Sequence, residues 1–194
     1  MLKIAITGNI AAGKSSALKI FKENKGFTLN ADKIGHKLLN EEVIKTRVIN
    51  LFSDQILTQG KINRKKLAKI VFSDEKKLDK LEKLLHPKIF NEIKKEYKKN
   101  FNKKNFNFFV VEVPLLFECK KQDFFDIIIT IIAKDIVAKK RANLQDYILR
   151  KKRQLSQKEL EELSDYVVLN NQDKNSFKEK ILKIIKNILR SHVK

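Results

Sequence analysis

The run Gly8-Asn9-Ile10-Ala11-Ala12-Gly13-Lys14-Ser15 constrains the fold more than any other part of the chain. It fits the phosphate-loop pattern G-x-x-x-x-G-K-[ST]. The apolar run Leu2 to Thr7 precedes it, and Ala17, Leu18, Ile20 and Phe21 follow it at helical spacing. A strand, a tight turn and a helix in that order aim successive backbone N–H groups at one anion, with the positive end of the helix dipole behind them. The two glycines permit the turn, Lys14 supplies a mobile charge for the β- and γ-phosphates, and Ser15 offers a hydroxyl to a magnesium ion. Gly8, Asn9, Ile10, Ala11, Ala12, Gly13, Lys14, Ser15 and Ser16 are therefore the candidate nucleotide-binding residues, Lys14 a catalytic one and Ser15 a metal ligand.

Downstream, a helix is expected from about Lys14 to Asn24, ended by Gly26 as by a C-terminal glycine. Phe27 to Asn30 then forms a second strand that delivers Asp32 to the C-terminal sheet edge, where ligands bind in open α/β sheets. Asp32 either takes a proton from a substrate hydroxyl or caps the helix beginning near Lys33; spacing leaves both open. From Asn40 to Asn107 no strand pattern stands out. Helical spacing does, in Val43, Val48, Leu51 and Phe52, then Leu67, Ile70 and Val71, then Leu78, Leu81, Leu84 and Leu85. This stretch is expected to be an all-helical insertion between strands two and three. Ser73-Asp74 starts one of its helices and Leu85-His86-Pro87 breaks it, because the residue before proline is pushed out of helical geometry. By itself His86 reads as a surface or capping residue.

Phe108 to Pro114 is a continuous apolar strand of the kind buried on both faces. Glu112 near its end stands where a carboxylate meets magnesium-bound water or the attacking group, or else caps the turn. Leu115, Leu116 and Phe117 are expected to expose an apolar patch beside the site, with Glu118 behind it. Asp126 to Ile132 and Tyr166 to Asn170 supply the fourth and fifth strands. The last helix carries Phe177, Ile181, Ile184, Ile185, Ile188 and Leu189 on one core-facing stripe. Ala138 to Gln154 is strongly basic, and is either a solvated helix face or a lid that swings over a nucleotide, with a turn around Gln145-Asp146.

The pattern predicts an α/β, three-layer P-loop NTPase fold with a five-stranded parallel sheet, a helical insertion and a short lid. The chain is expected to form a single domain, 1–194, in which 1–39 and 108–194 are the nucleotide-binding core, 40–107 the insertion and 138–154 the lid. Hydrophobic residues at 42% support a real core, and no apolar run reaches the length of a membrane span. Met1 leads directly into the first strand, so the expected location is cytoplasmic, without membrane association. Cys119 is the only cysteine, which excludes an intramolecular disulfide or a cysteine-based zinc site. The net charge of +20 comes mostly from Lys scattered over the whole length, which makes a solvated surface more readily than a nucleic-acid stripe. No nucleic-acid partner is expected, and a monomer is favoured.

Taken together these residues resemble the dephospho-CoA kinases, P-loop kinases that phosphorylate the ribose 3′-hydroxyl of dephospho-CoA. The markers span nearly the whole chain. They are the loop; Asn30-Ala31-Asp32 with His36 following; Ile62-Asn63-Arg64-Lys65-Lys66-Leu67; Val71-Phe72-Ser73-Asp74; Leu84-Leu85-His86-Pro87; Val113-Pro114-Leu115-Leu116-Phe117-Glu118; and Asp165-Tyr166-Val167 leading to Asn170-Asn171. The resemblance implies ATP and Mg2+, with dephospho-CoA as the small-molecule substrate. It implies Asp32 as catalytic base, and Arg64, His86, Pro114 and Leu115 beside Asp32 in the acceptor site. Arg141 becomes the lid arginine facing the transferred phosphoryl, and Asn170 the start of the adenine-side loop. Four departures stand out: Asn9 and Ala11 replace glycines, Asn63 replaces an aspartate, Gln172 replaces a glycine, and the lid is short, so that Arg150 or Arg153 takes over work done there by other arginines. Two further readings stay open, a kinase of nucleoside monophosphates or similar small molecules and a basic nucleic-acid-binding P-loop protein.

Overall fold

The computed structural model describes residues 1–142, 147–148 and 151–192. In chain order the elements are β1 (Leu2–Gly8), α1 (Lys14–Glu23), β2 (Gly26–Asn30), α2 (Ala31–Leu38), α3 (Glu42–Phe52), β3 (Leu57–Thr58), β4 (Lys61–Ile62), α4 (Arg64–Phe72) and α5 (Glu75–Asn100). They continue with β5 (Phe108–Glu112), β6 (Ile127–Ile132), α6 (Asp135–Arg141), α7 (Gln157–Glu162), β7 (Tyr166–Leu169) and α8 (Lys174–His192). Two compact units result, one from Met1–Asn30 with the chain from Asn100 onward, the other from Ala31–Lys99. Gln145, Asp146 and Arg150, named above for the lid, lie outside the described residues.

The first unit is built on a five-stranded sheet in the order β2-β5-β1-β6-β7, with every neighbouring pair parallel. β5 and β6 are buried along their whole length, as near-continuous apolar strands between two layers should be. Ile4, Ile6, Phe108, Val110, Ile127, Ile129 and Ile131 pack in one core with Ala17, Ile20 and Phe21 of α1 and with Phe177, Ile181, Ile184, Ile185 and Ile188 of α8. The expected stripe of the last helix is thus its core face. On the opposite side Phe109 stacks on Phe27, which meets Phe106 edge-on. α7 starts with a reciprocal cap between Ser156 and Glu159 and buries Leu160.

The end of α1 differs from expectation. The left-handed residue is Lys25, at φ 59°, and Gly26 already begins β2. Gly26 is needed for space, since a Cβ there would stand 2.6 Å from the Phe21 carbonyl oxygen. The Pro-Leu-Leu-Phe run also departs from the expected exposed patch: Leu116 and Phe117 are buried, and only Pro114 and Leu115 are half-exposed.

The second unit holds α2 to α5 around Leu38, Ile44, Val48, Phe52, Leu67, Val71, Leu78, Leu81 and Leu85. In α3 the buried stripe is Ile44, Val48 and Phe52; Val48 and Phe52 are as expected, whereas Val43 and Leu51 face outward at 65% and 41% exposure and Ile44 takes the place in the core. The unit is not purely helical. β3 and β4 form a small antiparallel hairpin whose turn residues Gln59 and Gly60 both have positive φ, 50° and 71°, as a type I′ turn demands. Asp74 caps α5 by accepting from the Lys76 and Lys77 amides, as its position before the helix suggested. The break expected at Pro87 does not occur. α5 runs through it, because proline removes one i→i−4 bond while Leu81 and Leu85 before it, and Phe90 and Ile93 after it, stay buried and hold both halves in place.

Candidate active site

The phosphate loop joins the C-terminal end of β1, at the middle of the sheet, to α1. Gly8 has φ 127°, and a Cβ there would stand 1.9 Å from the Ile131 carbonyl oxygen, so β1 and β6 approach too closely for any side chain. Gly13, the N-cap of α1, has φ 103°, and its Cβ would fall 2.5 Å from the Asn170 amide nitrogen. The buried Lys14 ammonium donates to the carbonyls of Gly8 and Asn9 at 2.8 Å each, which folds the lysine back over the loop. Ala11 takes a left-handed conformation, φ 54°, at one of the two positions where the family resemblance leads to the expectation of glycine. At the other, the Asn9 side chain clamps the loop to the end of β6: its Nδ2 donates to the Ala133 carbonyl at 2.7 Å, and its Oδ1 accepts from the Ala133 amide at 3.0 Å.

Ser15 and Glu112 meet beside the loop. Ser15 Oγ lies 3.0 and 2.9 Å from the two Glu112 carboxylate oxygens, and Asn30 Nδ2 donates to the same carboxylate at 2.7 Å. Register explains the meeting, since Asn30 and Ile6 both pair with Glu112, which puts the C-terminal ends of β2, β5 and β1 side by side. Glu112 is only 5% exposed and does not cap the turn that follows β5. A hydroxyl and a carboxylate together form a hard-oxygen donor set of the kind magnesium prefers.

The far side of the loop is held by the end of β7. Asn170 Nδ2 donates to the Ala12 carbonyl at 2.7 Å, and Arg141, the last residue of α6, donates through Nη1 to the Asn170 carbonyl at 3.2 Å. Asp135 at the start of α6 accepts hydrogen bonds from the Tyr147 hydroxyl, at 2.8 Å, and from the Lys151 ammonium. The Lys151 and Tyr147 donors hold the Asp135 carboxyl below its ordinary range, while burial, then the Asp135 bond, pushes the Tyr147 phenol up. The Asp135 bond also pushes Lys151 up. One residue of the basic segment that sequence reasoning overlooked reaches the loop itself: Gln154 Oε1 accepts from the Ile10 amide at 2.9 Å. No motif flags it; it stands two residues before the Ser156 helix cap and 144 residues from its partner in sequence.

In the second unit Asp32 lies inside the first turn of α2 rather than before it, so it is not the N-cap considered above. It is exposed, and His36 follows one turn later on the same side of the helix. Arg64, the first residue of α4, places Nη1 2.8 Å from His36 Nδ1. Because an arginine only donates, His36 accepts through Nδ1 and carries its proton on Nε2. These two residues line a cleft of about 290 Å³ with Lys37, Leu39, Asn40 and Ile62. Asn63, in place of the expected aspartate, caps α4 by accepting from the Lys65 and Lys66 amides at 3.0 and 3.2 Å, a task either side chain performs. His86 is half-buried on α5 and does not line that cleft.

Within the first unit, then, the structure brings the loop residues together with Ser15, Glu112, Asn170 and Arg141; Pro114 and Leu115 follow β5 directly. Ser16 is exposed, and its amide donates to the Gly13 carbonyl. The sequence profile described as dephospho-CoA kinase matches residues 2–176. A dephospho-CoA kinase from Protochlamydia amoebophila is 40% identical over 177 residues, 87% of each chain. The solved dephospho-CoA kinase from Campylobacter jejuni superposes with a TM-score of 0.73 at 28% identity over 98% of both chains. A solved structure from Thermus thermophilus, 23% identical over 97% of both chains, reaches a TM-score of 0.82 and shares the fold. The fold is that of the P-loop NTPases, and the chain belongs to the dephospho-CoA kinase family.

Proposed function

We propose that the chain transfers the γ-phosphoryl group of ATP to the ribose 3′-hydroxyl of dephospho-CoA, giving CoA and ADP. The observation that carries this is the Gly8–Ser15 loop, with Lys14 folded over it and Ser15 on the buried Glu112 carboxylate, in a chain of this family. The loop amides and Lys14 bind the β- and γ-phosphates and stabilise charge on the transferred group. Asp32 accepts the proton of the 3′-hydroxyl as its oxygen bonds to the γ-phosphorus and the bond to the β–γ bridging oxygen breaks. Its support is its position two residues beyond β2, in the first turn of α2. Ser15, with Glu112 behind it, would hold Mg2+, which neutralises phosphate charge when bound.

The acceptor is held by the unit of Ala31–Lys99, where Lys37 and Arg64 give the 290 Å³ cleft a cationic lining, with His36 beside them, suited to the phosphates of dephospho-CoA. His86 in that unit, and Pro114 and Leu115 after β5 in the other, are the further acceptor residues that the family resemblance implies. Arg141 serves the nucleotide side and is held ready by the Asn170 carbonyl. The test is purified protein with magnesium and ATP, with and without dephospho-CoA, and with nucleoside monophosphates in parallel. CoA and ADP formed in equal amounts, only with dephospho-CoA present, is the expected result. No acceptor-dependent ADP, or equal turnover of a nucleoside monophosphate, overturns the reading.

A further inference from the structure

The geometry points to Gln154 as a positioning residue of the phosphate loop, a role that rests on the reading of this chain as an ATP-dependent kinase. Its carboxamide spans the first turn of the loop. Oε1 accepts from the Ile10 amide at 2.9 Å and Nε2 points to the Gly8 carbonyl at 3.4 Å. That Gly8 carbonyl is one of the two that hold the Lys14 ammonium, so Gln154 and the catalytic lysine share an acceptor. A side chain with one donor and one acceptor in a fixed plane can bridge an amide and a carbonyl of the same turn; glutamate cannot donate, and lysine cannot accept.

Gln154 is itself held in place. The next residue, Leu155, donates its amide to Glu118 Oε1 at 3.0 Å, and Ser156 begins α7 with its reciprocal cap. Glu118 lies in the turn after β5, whose neighbouring residues Leu116 and Phe117 are buried. The chain of contacts therefore runs from a rigid turn, through Leu155 and Gln154, to the loop. Its effect is to keep the Ile10 amide and the Gly8 carbonyl in the conformation that nucleotide and Lys14 require, so less ordering is left to occur on binding.

The experiment uses the full chain and two separate readouts, affinity for a fluorescent ATP analogue and steady-state transfer to dephospho-CoA. Gln154→Ala is expected to raise the analogue Kd about fivefold, the worth of one hydrogen bond. It is also expected to lower kcat about tenfold or more through a misplaced Lys14, with KM for dephospho-CoA unchanged. Gln154→Glu should bind the analogue more weakly still, because it sets a carboxylate against the Gly8 carbonyl and near phosphate. Glu118→Ala, which frees the Leu155 amide, should reproduce the Gln154→Ala effect, and the double variant should be no worse than either single one. Gln157→Ala, whose side chain only meets Glu161 on α7, is the control expected to match wild type. Wild-type Kd and kcat in Gln154→Ala overturn the inference, as does a lowered melting temperature with unchanged Kd, or a change confined to the dephospho-CoA KM. Should the wild-type chain bind the analogue but leave dephospho-CoA untouched, the acceptor assignment fails while the affinity measurement still decides the role of Gln154.

Discussion

Glu112→Gln separates the structural from the electrostatic work of the buried carboxylate. In the wild type it accepts two contacts from Ser15 Oγ and one from Asn30 Nδ2. Glutamine keeps the shape, and with its carbonyl oxygen at the Oε2 position it still accepts from Asn30 Nδ2 and Ser15 Oγ, while its NH2 group replaces the other charged oxygen beside the Ser15 hydroxyl. The stability cost is that of about one charge-assisted hydrogen bond, ~1.5–3 kcal/mol, reduced because a neutral amide is easier to bury than a carboxylate. The effect on metal is larger. A carboxylate and a cation sharing the Ser15 hydroxyl are separated by at most about 5 Å, the 2.9 Å contact plus a ~2.1 Å magnesium–oxygen bond. At an effective dielectric constant of about 20 their attraction is ~6 kcal/mol, of which competition from water and phosphate oxygens leaves roughly a third. A loss of ~2 kcal/mol raises the magnesium concentration for half-maximal activity about thirtyfold. A magnesium titration of ADP production at saturating ATP and dephospho-CoA measures it, with urea unfolding as the check on folding. An unchanged magnesium midpoint with unchanged kcat would refute the assignment of Ser15 and Glu112 to the metal.

Asp32→Asn should lower kcat by roughly a hundredfold with ATP affinity held, as loss of a general base does; a near-normal kcat in the purified variant rules that role out. Gly8→Ala should destabilise the first unit by more than ~3 kcal/mol in urea unfolding, because its Cβ would meet the Ile131 carbonyl oxygen at 1.9 Å; a loss below ~1 kcal/mol contradicts the close approach of β1 and β6. Asp135→Asn should cost at most about 1 kcal/mol at neutral pH, since Asp135 and Lys151 are 53% and 48% exposed. The folded-state carboxyl of Asp135 is lowered, so its contribution is fully present above the ordinary carboxylate range, about 4, and is lost as pH falls below it and through the lowered folded-state value; a stability difference that does not shrink at all as pH is taken from neutral to strongly acid is inconsistent with this ion pair.

What could be read in the sequence is what is local. The loop declares itself because eight consecutive residues carry both its geometry and its chemistry, and β5 and β6 because a strand buried on both faces is one unbroken apolar run. Glu112 could be singled out because it stands at the end of such a strand, whereas β7 is largely exposed and Asn170 is marked only by the family resemblance. The hairpin of β3 and β4 could not, since two residues per strand show no period, and its turn has glutamine where asparagine or aspartate would give the usual signal. Pro87 misled because the local rule against proline in a helix competes with burial on both sides of it. Gln154 and the Asn9 clamp were hidden for another reason: their partners lie 144 and 124 residues away, and an amide side chain meeting backbone leaves no residue pattern at either end.

The loop's own composition follows from those distant contacts. The loop keeps glycine at the two positions whose Cβ atoms would have nowhere to go, Gly8 against Ile131 and Gly13 against Asn170. Ala11 accepts a left-handed conformation at a cost of ~1–2 kcal/mol. Asn9 returns two hydrogen bonds to Ala133, each worth ~0.5–1.5 kcal/mol net, so the two departures roughly offset one another in stability. They do not offset one another in stiffness, because both changes act in the same direction. A loop with fewer glycines has fewer conformations to lose, and a side chain bonded across to β6 removes several of those that remain. With Asn170 on the Ala12 carbonyl and Gln154 on the Ile10 amide, the turn is held from three directions by residues that flank β6, β7 and α7. A glycine-rich loop orders itself around phosphate, whereas this one has its amides aimed by the fold beforehand, and the positioning cost of binding ATP moves from the ligand to the folding of the sheet.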